Sequence, residues 1–192
     1  MVEFFLNNKK VVAKDDETIW AVAKREGITL PHLCFADKPG YRADGNCRAC
    51  MVSIEGERVL AASCIRKPTE GMKVLTNDER SIKSRKMVLE LLVTDQPDRE
   101  TSHDPDSHFW KIASDIDVEK SRFEKREKKI VPCEDSSHVA MSVNLDACIH
   151  CNLCVRACRE VQVNDVIGMG NRGHHSNCLL YTSDAADDNT CV

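Results

Sequence analysis

Cys34-Phe-Ala-Asp-Lys-Pro-Gly-Tyr-Arg-Ala-Asp-Gly-Asn-Cys47-Arg-Ala-Cys50 is the stretch around which the first half of the chain is organised. With Cys64 it gives four cysteines in the order Cys34-x12-Cys47-x2-Cys50-x13-Cys64. Four thiolates so arrayed can hold a [2Fe–2S] cluster, two on each iron. Three of them come from one loop, which has to wrap around the cluster. Gly40 and Gly45, with the small Ala43 and Ala49, let the loop backbone approach the sulfides and donate N–H bonds to them. The plant-type spacing puts four residues between the first two ligands. Here there are twelve, so the loop is longer than in simple ferredoxins. A zinc site usually shows two close pairs of ligands, and only Cys47-x2-Cys50 is one. Zinc, a disulfide and buried free thiols are the competing readings.

Outward from that loop, residues 1–78 read as a compact α+β unit. Val2–Leu6 and Lys10–Ala13 are short strands around an Asn7-Asn8 turn. Asp15, Asp16 or Thr18 caps a helix carrying Ile19, Trp20, Val22 and Ala23, with Gly27 as its stop. Met51–Ile54 and Val59–Ala62 form a second hairpin, and Met72–Thr76 is a last strand. Two hairpins and one crossing helix resemble the β-grasp arrangement of plant-type ferredoxins. Residues 79–135 are then a helix ending near Thr94 and a charged linker, in which Glu119 to Lys129 is a solvated run.

The third segment, 136–176, carries Cys148-x2-Cys151-x2-Cys154-x3-Cys158, the bacterial [4Fe–4S] run. That run normally ends Cys-Pro, whereas Arg159 follows here. In two-cluster ferredoxins the fourth cysteine serves the other cluster, and no second run follows. The segment therefore reads as an incomplete 4Fe-4S ferredoxin-like domain, and the chain is expected to hold its cubane substoichiometrically. Cys133, Cys178 and Cys191 have no ligand spacing. The two cysteine groups, separated by a polar linker, are expected to assemble independently. Gly168 to Gly173 fits G-x-G-x-x-G, but no amphipathic helix follows, so a turn leaving a strand is the better reading. His103 and His108 have no cysteine near them in sequence and read as surface residues.

Composition sets the class. The net charge of −4 argues against a nucleic-acid partner. No apolar run is long enough for a membrane span, and the N-terminus has no signal-peptide pattern, so a cytoplasmic location is expected. Eleven cysteines in such a compartment more often bind metal than form disulfides. No triad, paired-carboxylate site or phosphate-binding loop stands out, so no catalytic residue is assigned.

Leu30-Pro-His-Leu-Cys34, Asp44-Gly-Asn-Cys-Arg-Ala-Cys50 and the long stretch from Val143 to Gly170 resemble the N-terminal iron–sulfur region of the α subunit of NAD-dependent formate dehydrogenases. A more distant resemblance is to the large iron–sulfur subunit of NADH dehydrogenase and to iron-only hydrogenases. The resemblance implies an electron relay from formate oxidation toward NAD, with flavin/NAD-binding and iron–sulfur subunits as partners. A molybdenum or tungsten bis-pterin would belong to a downstream domain that this chain lacks. Members often carry a His-x3-Cys-x2-Cys-x5-Cys cluster between the two segments. Here there is no cysteine between Cys64 and Cys133, so that cluster is not carried over. The resemblance stops near Ser176, and residues 177–192 read as a non-native tail. A zinc-binding or redox-sensing protein is the alternative of another class.

Overall fold

The computed structural model describes residues 1–125, 134–138, 141–173 and 176–180. Cys133 and Cys191, with the end of the mixed-charge run, lie outside these residues.

Strands β1 (Val2–Leu6) and β2 (Lys9–Ala13) pair antiparallel. Asn7 and Asn8 close the hairpin with positive φ of 49° and 68°, the backbone of a two-residue turn whose twist matches the strands. Alternation along the pair buries Phe4, Leu6, Val11 and Ala13. Helix α1 (Ile19–Arg25) starts at Thr18, whose side chain accepts from the Ala21 N–H. It stops at Gly27, in the left-handed region at φ 78°. Ile19, Trp20, Val22 and Ala23 all enter the core.

Strands β3 (Met51–Ile54), β4 (Ala61–Ala62) and β5 (Lys73–Leu75) complete a five-stranded sheet of order β2-β1-β5-β3-β4. The last strand enters between the two hairpins, parallel to β1 and antiparallel to β3. The expected strand at 59–62 shortens to two residues; Val59 is exposed and has no core to face.

Helix α2 (Glu79–Thr94) is capped by Asp78, which also accepts from Ser53 Oγ at 2.8 Å and so ties the helix to β3. Leu89 and Val93 of α2 build a second core with Leu33 and Ala49 of the cysteine loop. Its other wall corrects the linker reading of 79–135. Helix α3 (His108–Asp115), capped by Ser107, buries Phe109, Trp110, Ile112 and Ala113 there. Polar flanks hide these four apolar residues from a composition scan, yet they lie on one helical face.

In the third segment β6 (Glu134–His138) and β7 (Met141–Asn144) form a hairpin. A short helix, α4 (Leu153–Arg156), runs on into a π-turn at Ala157–Val161. Strand β8 (Ile167–Gly170) pairs antiparallel with β9 (Asn177–Leu180), the first four residues of the expected tail. The G-x-G-x-x-G stretch thus lies in β8 and the turn after it. This segment contacts the first: Arg156 donates to the carbonyls of Cys34 and Arg42. No helix among the described residues is long and apolar enough to cross a membrane.

Candidate functional site

The loop bearing Cys34 and Cys47 is anchored before its first cysteine. Trp20 Nε1 donates to the Leu30 carbonyl at 3.1 Å, and the edges of His32 and Phe35 pack on the same indole. From below, Leu33 and Ala49 are set into the second core. Cys50 leads into β3, and Cys64 follows β4 on the other side. Cys34, Cys50 and Cys64 are buried and Cys47 is partly exposed.

The four thiols touch in pairs. Cys34 lies against Cys47 and Cys64, and Cys64 lies against Cys50. The Cys47 thiol is the main cause that holds Cys34 well below the ordinary thiol range, and the Cys64 thiol does the same for Cys50. Their contact with Cys34, first of all, pushes the Cys47 and Cys64 thiols far up. Backbone N–H groups of Asn46 and Cys47 add to the stabilisation of the Cys34 thiolate. Four thiolates this close repel one another in a buried site unless cations are interposed. Four cysteines grouped by one loop and the strand beside it suit ligands shared between two irons, so the donor set fits a [2Fe–2S] group.

Gly45 shows why the loop is built from small residues. Its φ is +64°, and a Cβ there would stand 2.7 Å from Ile65 Cδ1. Ile65 has room to turn, so the backbone penalty dominates. Gly45→Ala is expected to cost about 1–2 kcal/mol for left-handed backbone, measured by urea denaturation. A variant as stable as the parent would show that the loop relaxes freely.

The second group is coiled by two left-handed residues, His150 (φ 53°) and Asn152 (φ 60°). The His150 N–H lies 3.4 Å from Cys148 Sγ. Burial pushes the Cys151 thiol up, and the nearby Cys154 and Cys148 add to it. A residue outside the run joins them: Cys178 on β9 is buried and hydrogen-bonds Cys154. Burial first, then Cys154 and Cys148, raise its thiol to about 11. Cys158 has a different environment. It is buried under the π-turn, and its Sγ accepts from the Val166 N–H at 3.2 Å. The structure therefore sets Cys178 against Cys154, with Cys158 facing the 164–166 loop.

Residues 1–79 match the protein family described as "2Fe-2S iron-sulfur cluster binding domain". Residues 1–79 form a 2Fe-2S ferredoxin-type domain. Over most of its length the chain is 29% identical, across 178 residues, to the NADP-reducing hydrogenase subunit HndD of Solidesulfovibrio fructosivorans, covering 90% of this chain and 30% of that protein. It is 30% identical over 179 residues to the mitochondrial 78 kDa subunit of NADH-ubiquinone oxidoreductase from Candida albicans, covering 90% of this chain and 24% of the relative. The chain thus spans under a third of the length of these curated relatives. In fold it is similar to a chain in the crystal structure of an NAD+-reducing [NiFe]-hydrogenase in the H2-reduced state. The TM-score is 0.80 at 24% identity, over 95% of this chain and 76% of that one.

Sequence spacing pointed to Cys34, Cys47, Cys50 and Cys64 and to Cys148, Cys151, Cys154 and Cys158. It passed over Cys178, which no spacing rule reaches, because only the pairing of Met169 with Cys178 across β8 and β9 sets it there. It also passed over Arg156, a buried cation among cysteines.

Proposed function

We propose that the chain is an iron–sulfur electron relay, with Cys34, Cys47, Cys50 and Cys64 holding a [2Fe–2S] cluster and the second cysteine group a [4Fe–4S] cluster. The observation that carries it is the pairwise meeting of the four thiols of the first group inside the family-matched domain. Cys148, Cys151 and Cys154 are the second cluster's ligands from the run, and Cys178 is placed to be the fourth. Cys158, the fourth cysteine of the run, accepts from the Val166 N–H at 3.2 Å and is the other candidate for that position.

Each cluster, when bound, takes up and releases one electron at a time. The protein's own residues do the rest. Burial of Cys34, Cys50 and Cys64 keeps water from the sulfurs. N–H groups of Asn46 and Cys47 aimed at Cys34 stabilise negative charge on sulfur and so favour the reduced state. The α2–α3 core holds the loop still, which keeps reorganisation on electron transfer small.

In the wider reading, the chain is the N-terminal relay part of a larger oxidoreductase subunit acting in the cytoplasm with flavin/NAD-binding partners. The hydrogenase and NADH dehydrogenase relatives favour a subunit of that type. The long motif from Val143 to Gly170 supports formate dehydrogenase as the finer reading. Protein purified without oxygen is expected to be brown and to contain iron and acid-labile sulfide. A colourless protein with stoichiometric zinc would sink the proposal.

A further inference from the structure

Arg156 closes α4, two positions after Cys154, and its side chain is only 6% exposed. A buried guanidinium is costly unless it is paired and its donors are used. Here nearly all of its bonding is directed at the other cluster's loop. The Nη2 group donates to the carbonyl of Cys34 and Nη1 to the carbonyl of Arg42. The Nε atom lies 3.0 Å from Asp44 Oδ2 but is not aligned for a hydrogen bond, so that contact is one of charge. Three points of the Cys34–Cys47 loop are therefore held by one cation from a segment over 110 residues away in sequence.

The surroundings reinforce this grip. Arg42 pairs with Asp44 at 2.8 Å and with Glu160, four residues past Arg156, at 3.0 Å. Val161 packs over Gly40, where a built Cβ would meet its Cγ2 at 3.3 Å. A side chain that only filled space here could be apolar. A cation that satisfies the buried carbonyl of Cys34 and the part-buried carbonyl of Arg42 instead acts on both position and charge.

We infer that Arg156, from the second cysteine segment, is a positioning residue for the first cluster: it fixes the Cys34 end of the loop and sets a positive charge beside that ligand. The inference rests on the [2Fe–2S] reading above. A positive charge in a poorly screened site favours the more anionic, reduced cluster. The two cysteine groups are then coupled, against the independence expected from a polar linker.

The test uses the full chain, purified without oxygen. A redox titration of the [2Fe–2S] signal is combined with amide hydrogen exchange over residues 34–47. Arg156→Gln is expected to shift the midpoint potential downward and to speed exchange across the loop. Arg156→Lys keeps the charge but reaches fewer acceptors. Its potential should lie near that of the parent while exchange stays faster. A purely structural role would speed exchange equally in both and leave the potential alone, and that result would overturn the charge assignment. Parent-like exchange in Arg156→Lys would overturn the positioning assignment, and this variant decides the matter if Arg156→Gln does not accumulate. A parent protein with no [2Fe–2S] signal refutes the underlying reading before any variant is compared.

Discussion

Cys47→Ala is expected to abolish the [2Fe–2S] signal while the protein still binds its second cluster. Cys47 lies against Cys34, which also meets Cys64. Alanine leaves one iron with a single protein thiolate, which cannot hold it. Because ligand binding is coupled to folding of the loop, the lost cluster should also loosen residues 34–47. The thiols of the second group stand outside that loop, on α4, the turn before it and β9. Iron and sulfide analysis with spectra of the reduced protein checks this. Retention of the [2Fe–2S] signal would remove Cys47 from the ligand set, and loss of both signals in a folded variant would place the two clusters in one assembly unit.

The second large effect separates two cysteines that a spacing rule ranks the other way round. Cys178→Ala is expected to convert the second cluster to a labile [3Fe–4S] form, whereas Cys158→Ala leaves it intact. Cys178 is buried against Cys154, within reach of Cys148. Cys158 is engaged by the Val166 amide. Cys158 lies under the π-turn at Ala157–Val161, toward the 164–166 loop. Full occupancy lost in Cys158→Ala and kept in Cys178→Ala would reverse the assignment and return the site to the four cysteines of the run.

Much of this architecture was legible before any coordinates. Cysteine spacing, Asn-Asn and Gly turn signals and alternating apolar residues are local, and each acts within a few residues. They place β1, β2, α1, β3 and the whole first thiol set. The helix at His108–Asp115 was missed because its flanks, Ser-His-Asp-Pro-Asp before and Asp-Val-Glu-Lys after, dominate any composition window. Its stability comes from burying Phe109, Trp110 and Ile112 against Leu89, Val93 and Leu33, which are distant in sequence.

By itself, then, the sequence determined which chemistry the chain carries: soft thiolate donors grouped for clusters, glycines where the wrapping backbone turns left-handed, and no long apolar helix. Tertiary structure alone decided three other matters. It set Cys178 beside Cys154, through a strand pairing that no short-range rule specifies. It turned polar residues 95–118 into a wall of the core that supports the cysteine loop. It also set Arg156 against Cys34, Arg42 and Asp44. The physical reason is common to all three. Ligand spacing and turn preference are properties of neighbours along the chain, whereas burial, strand partners and the pairing of a buried charge depend on residues that meet only when the chain has folded.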